Sequence, residues 1–247
     1  MSKIRLKTIT ISLLLTCVTF GMACFQAYAW DGDTTHKDMA YWAGATKGVE
    51  AEYLPFLRDA GPAPDSFDQP YCQIRHAYLI DTGWPNEAPR WCQDHANDAK
   101  LHYGQGQKLD AYKELGYATH YIIDVSNLMH TTIRATDTPW WNPLRFLHDI
   151  YEVDYVKNNW NSGKNFGQYT YTYGTQRTIG IYDPYQACVD MARYANGDSS
   201  TRANYICDKI IATSDYGNDN TVVFYTKDNL VNAMAYCRGL VDYIRRP

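Results

Sequence analysis

The segment HYIIDVSNLMH, residues 120–130, sets a carboxylate four residues after a histidine, His120 and Asp124, and a second histidine, His130, six residues beyond. On a helix, residues at i and i+4 leave one face a single turn apart, so an imidazole and a carboxylate converge on a common point. A second pair of the same kind stands in HDIYE, as His148 and Glu152. One such pair is ordinary helix-surface chemistry worth about 0.2–0.5 kcal/mol. Two pairs with a histidine between them match the way helices present nitrogen and oxygen ligands to a hydrolytic zinc ion.

The elements that must carry these residues read as helices. From Leu109 to Val125 the apolar positions Leu109, Tyr112, Leu115, Ala118, Ile122 and Val125 recur at spacings of three and four, the mark of a buried stripe. His120 follows Ala118 by two residues, about 200° round the helix, so the polar pair occupies a different face. Further helices are expected from a Thr34 or Thr35 cap to about Gly48, over 90–103, and over 143–158 with Pro143 in its first turn. Others are expected from Asp183-Pro184 to Gly197, and after a Thr226 cap with Leu230, Met234, Cys237, Val241 and Ile244 on one face. Residues 161–182, with alternating Tyr and Thr and four glycines, read as a long loop or irregular hairpin.

Residues 1–29 have the form of a secretory signal: Lys3, Arg5 and Lys7, then an apolar run, then Ala27-Tyr28-Ala29. The expected working chain is one domain, 30–247, secreted or periplasmic, with no transmembrane anchor after processing. Three of the 23 Lys+Arg leave with the signal, so 20 face 27 Asp+Glu, a formal −7. That balance argues against a stable nucleic-acid partner, whose phosphates are neutralised by Lys and Arg. Cys72, Cys92, Cys188, Cys207 and Cys237 remain, and export leads one to expect one or two disulfides among them. Cys72, four residues before His76, is read as a disulfide partner rather than a metal ligand.

The stretches WDG…H from Trp30 to His36, PDSFD…H from Pro64 to His76, HYIIDVSNLMH and HDIYE together resemble the exported zinc-dependent phospholipases C of bacteria, which include clostridial alpha-toxin. They also resemble the related fungal single-strand-specific three-zinc nucleases. The resemblance runs through nearly the whole of 30–247 and implies an all-α single helical domain with a trinuclear zinc cleft. It implies one zinc on Asp65, His76, His120 and Asp124. A second would take the α-amine and carbonyl of Trp30, with His36 and a bridging Asp124, and the third would take His130, His148 and Glu152. It also gives a reason for cleavage just before a tryptophan, since Trp30 must come first. His95 and His102 match nothing in the pattern and are expected at the surface.

The chain departs from that pattern at named positions. Leu128 stands where the family has proline two residues before the third histidine of the central motif, so the turn to His130 must be made otherwise. The gap from Trp30 to His36 is nearer that of the nucleases, whereas Glu152 matches the phospholipases, the nucleases having Asp there. Ser66 replaces an aromatic that contacts choline. The resemblance thus implies a phospholipase C that hydrolyses glycerophospholipids, at a membrane or micelle surface, to diacylglycerol and a phosphorylated headgroup, with Asp65 orienting or deprotonating the attacking water. A nuclease or nucleotidase on the same site, and a non-catalytic exported zinc-binding protein, are the competing readings.

Overall fold

The computed structural model describes residues 31–69, 71–84, 86–142 and 145–247, and every regular element among them is helical. The signal segment, Trp30 and Pro143 lie outside the described residues. In chain order the α-helices are α1 (Lys37–Thr46), α2 (Leu54–Ala60), α3 (Pro64–Phe67), α4 (Cys72–Arg75), α5 (Ala88–Gly104) and α6 (Lys108–Ser126). They continue as α7 (Leu147–Asp149), α8 (Phe166–Tyr169), α9 (Pro184–Asn196), α10 (Thr201–Ala212) and α11 (Asn220–Arg245). No helix among the described residues is long and apolar enough to cross a membrane.

Helix α6 occupies the centre, packed by α5, α2, α9 and α11. From Leu115 to Ser126 it is buried at every residue except Tyr117, so its polar face is enclosed as fully as its apolar stripe. A helix buried all round must satisfy the polar groups it takes with it. Its close crossing with α2 depends on Gly116, where a Cβ would stand 2.5 Å from the Cβ of Ala60 and 2.8 Å from the carbonyl oxygen of Leu57. The same crossing brings Gly61 against the backbone of His36, where a Cβ would lie 2.9 Å from the His36 carbonyl oxygen. Small residues thus draw the His36, Gly61 and His120 segments together.

Several expectations are corrected. Thr34 and Thr35 lie inside a π turn, Asp31–His36, that precedes α1, rather than capping a helix. The expected helix over 143–158 forms as an unbroken helical run from Leu147 to Asn159, but it starts later than expected and its winding changes from α7 to a π-helical stretch, Ile150–Val156, and a 3₁₀ turn, Lys157–Asn159. Residues 161–182 are not a hairpin: α8 runs into a π turn, Thr170–Gly174, seated on α11, where Gly174 approaches Met234. Packing against a long helix here overrides the strand preference of alternating Tyr and Thr. Helix α11 starts seven residues earlier than a Thr226 cap allows, because Asp219 accepts from the backbone N–H of Thr221 (2.9 Å) and Val222 (3.1 Å). Thr226 is buried inside the helix, bonded to Val222 O and the Tyr151 hydroxyl.

The expected disulfides are absent: Cys72, Cys92, Cys188, Cys207 and Cys237 are free and buried. Each occupies an inward position of a helix and packs as a small apolar side chain. His95 is also not a simple surface residue. It is partly buried, with Nδ1 2.7 Å from Glu114 and its ring stacked on Tyr121. His102 bonds through Nδ1 to Gln107 near the surface.

Candidate metal centre

The structure gathers Asp65, His76, His120 and Asp124, though they come from α3, the end of α4 and two turns of α6. Nδ1 of His76 lies 3.4 Å from Asp65 Oδ1, 3.0 Å from Asp124 Oδ2 and 3.2 Å from His120 Nε2. Nε2 of His120 lies 3.5 Å from Asp65 Oδ1 and 3.0 Å from Asp124 Oδ2. A tetrahedron of ligands at about 2.0 Å from a central ion has edges of about 3.3 Å. These five separations bracket that value.

The second oxygen of Asp124 turns elsewhere. Oδ1 lies 3.3 Å from Nε2 of His36, whose ring stacks on that of His120 at 4.3 Å. A third group forms beside these two, with His148 Nε2 2.9 Å from Glu152 Oε2 and 3.0 Å from His130 Nε2, and His130 Nε2 3.8 Å from Glu152. It adjoins the first group, since His130 Nδ1 donates to the His76 carbonyl at 3.0 Å. The three buried groups His36/His120/Asp124, Asp65/His76/His120 and His130/His148/Glu152 each have the composition and convergence of a metal site. Every described residue of the implied ligand set is therefore present, and Trp30 alone lies outside the described residues.

Hydrogen bonds on the far side of the rings decide which nitrogen faces inward. His120 Nδ1 is 2.8 Å from the Gly61 carbonyl and His130 Nδ1 3.0 Å from the His76 carbonyl, and a carbonyl can only accept. His148 Nδ1 lies 3.0 Å from Asp149 and His76 Nε2 3.0 Å from Asp68. These acceptors place a ring proton on the outer nitrogen, so that in each neutral ring the lone pair is the inward one. Two lone pairs then face one another at 3.2 Å between His76 and His120, and at 3.0 Å between His130 and His148. Neither oxygen of buried Asp65 or Asp124 has a hydrogen-bond partner among the described residues. Converging lone pairs and unpartnered buried carboxylate oxygens are stable together only around positive charge, and divalent cations fit both features.

Without metal, protons supply that charge. Burial favours neutral acids, yet His120 and His76 hold the Asp124 carboxyl well below the ordinary range. Burial likewise works against Glu152, which His148 and His130 bring down to about 2. Asp65 goes the other way: burial raises it, with Asp124 adding to the rise, against the pull of His120 and His76.

No protein-family description matches the chain, and no curated protein matches it.

Two supporting residues escaped the sequence reading. Asn127 performs the turn that Leu128 left unexplained: its side-chain oxygen accepts from the Met129 N–H at 3.0 Å, capping the 3₁₀ turn Leu128–His130. Its Nδ2 also donates to Glu152 at 3.2 Å, so one amide positions ligands from two segments. Asn just after a helix is a known capping signal, and it stood in the sequence unread. Asp68, within the PDSFD stretch, is fully buried and accepts from His76, Tyr121 (2.7 Å) and Arg75 (2.5 Å). Burial would raise its carboxyl, but these three donors hold it at about 2. Ser66 and its neighbour Phe67 are both exposed.

Proposed function

We propose that the chain is an exported, zinc-dependent phosphodiesterase with three ions in one cleft, of the phospholipase C type. The observation that carries this reading is the sharing of Asp124, whose two oxygens face His36 on one side and His76 with His120 on the other, beside the His130/His148/Glu152 group. Clustered ions suit the displacement of an oxygen leaving group at phosphorus.

When bound, the cations supply a water that ionises near neutrality and neutralise the phosphate oxygens. The residues of the chain then have distinct tasks. Asp65, buried with Oδ1 facing the inward nitrogens of His76 and His120, is placed to orient or deprotonate the attacking water. His120, His130 and His148 are oriented by bonds from their outer nitrogens to the Gly61 carbonyl, the His76 carbonyl and Asp149, so that their Nε2 atoms face the site. Asn127 holds Glu152 against the third group. Glu152 and the acidic charge of residues 30–247 favour a glycerophospholipid, presented at a membrane or micelle surface, over single-stranded nucleic acid.

The test is to offer the purified chain, cleaved before Trp30 and loaded with zinc, phospholipid micelles and single-stranded DNA in parallel. Release of diacylglycerol and a phosphorylated headgroup is expected, and chelation should abolish it. Hydrolysis of DNA alone would replace the phospholipase with a nuclease, and silence on both substrates with three bound zincs would leave a zinc-binding protein.

A further inference from the structure

His76 enters the centre by a different nitrogen from its neighbours. His36, His120, His130 and His148 face their groups with Nε2, whereas His76 turns Nδ1 inward and Nε2 outward to Asp68. We propose that Asp68 is a positioning residue that fixes His76 as its Nε2–H tautomer and so keeps the Nδ1 lone pair available to a cation, with Arg75 holding Asp68 in that role. The inference rests on the metal-centre reading and adds to it a device outside the ligand set.

Asp68 Oδ2 receives His76 Nε2 at 3.0 Å and the Tyr121 hydroxyl at 2.7 Å, while Oδ1 receives Arg75 Nη1 at 2.5 Å. Arginine only donates. The Arg75 guanidinium also sits over the rings of Trp91 (4.3 Å) and Tyr71 (5.3 Å), which hold it in place. A carboxylate meets all three donors because both its oxygens accept. An asparagine of the same shape has one oxygen and one N–H₂ group, and Arg75 claims the oxygen. The amide nitrogen must then face His76 and donate to Nε2, which becomes a lone pair. The ring proton moves to Nδ1, and Tyr121 turns its hydroxyl to accept. Asp68→Asn therefore leaves the packing intact while placing an N–H where a cation needs a lone pair.

A second variant is expected to move zinc affinity in the direction opposite to accumulated damage. In Asp68→Asn/Arg75→Met no donor claims the amide oxygen, so the amide turns over, its oxygen accepts from His76 Nε2, and Nδ1 is again a lone pair. The experiment measures zinc affinity by chelator competition on the full processed chain, with thermal unfolding as the folding control. Asp68→Asn is expected to weaken one of the bound ions roughly 10–100-fold, leaving the His130/His148/Glu152 ion in place, and the double variant is expected to recover most of that loss. A double variant that binds as weakly as the single one, or more weakly, overturns the proposal.

Should Asp68→Asn not fold, the wild-type chain carries the test. With nitrogen-labelled histidine and spin-active cadmium in place of zinc, magnetic coupling from the metal to Nδ1 of His76 is expected. Coupling to Nε2 of His76 instead, with the other histidines coupled, overturns the role of Asp68 and leaves the metal centre standing. Absence of coupling to every histidine removes the metal-centre reading and this inference with it.

Discussion

Oδ1 of Asp124 lies 3.3 Å from Nε2 of His36, while its other oxygen lies 3.0 Å from Nδ1 of His76. One side chain thus closes two adjoining groups. Asp124→Asn puts an amide nitrogen in place of one oxygen and so weakens both, whereas Glu152→Gln touches only the group it forms with His130 and His148. Elemental analysis after gel filtration should show close to three zincs in the wild type, one after Asp124→Asn and two after Glu152→Gln. Hydrolysis should fall more than about 100-fold in the Asp124 variant. Equal zinc loss in the two variants would remove the bridge.

A second prediction concerns pH in the metal-free protein. Burial opposes the charge on His148, but Glu152 and Asp149 raise it from 6.5 to about 10, while Glu152 is lowered from 4.5 to about 2. The raised histidine gives its full stabilisation below about 6.5 and loses it as pH climbs toward about 10. The depressed carboxylate gives its full stabilisation above about 4.5 and loses it as pH falls toward about 2. The chelated protein should therefore melt progressively lower as pH rises from about 6.5 toward about 10, by roughly 2–4 °C for each kcal/mol lost. The zinc-loaded protein, in which His148 is a neutral ligand, should hold its melting point over that range and lose it on acidification as protons displace zinc. Parallel curves for the two forms would contradict the assignment of His148.

The third prediction tests the helix that spans the back of the core. Asp219→Ala removes the acceptor for the N–H groups of Thr221 and Val222 and should cost about 1 kcal/mol by denaturant unfolding. Lys209, at 2.9 Å, and those N–H groups hold the Asp219 carboxyl at about 2. The wild-type advantage over Asp219→Ala should accordingly be constant above about 3.8 and shrink as pH falls toward about 2. An undiminished difference at the acid end would place the effect elsewhere.

The pairs His120/Asp124 and His148/Glu152 were legible because each sits at a spacing that helix geometry converts directly into proximity, whereas Asp65, His76 and His36 entered only through the family resemblance. Helices with a clear apolar stripe or an unambiguous cap, such as 109–125 and 183–197, were legible for the same reason. Tertiary contact decided the others. Thr226 has the chemistry of a cap, but Asp219 stood earlier and Tyr151 claimed the threonine hydroxyl. The Tyr/Thr run of 161–182 has the composition of a strand, yet Gly174 lets it lie against Met234 of α11 as a helical turn. Asn127 was hidden because it meets the site through Glu152, 25 positions away, and Asp68 because its contact with His76 is made across the irregular turn between α3 and α4, where no helical spacing announces it.

The last prediction returns to the position before Asp31. His120 has a single inward lone pair, already directed at Asp65 and Asp124 Oδ2, so His36 and Asp124 Oδ1 are left as the donors of the second group among the described residues. A four-coordinate ion there calls for two more. The turn Asp31–His36 leads back from His36 to the residue that would become the new N-terminus, and an α-amine with an ordinary pKa of about 7.7–8.0 is readily deprotonated by zinc. Adding one methionine before Trp30 converts that amine to a weakly basic amide and crowds the position. Hydrolysis and one zinc equivalent should fall together in the extended protein, while Trp30→Phe with a correctly cut N-terminus should keep most of both, because the backbone atoms do the binding. Mass spectrometry must first confirm the initial residue of each. Full zinc content and activity in the extended form would sink the role of the amine, and with it the reason for cleavage to fall before a tryptophan.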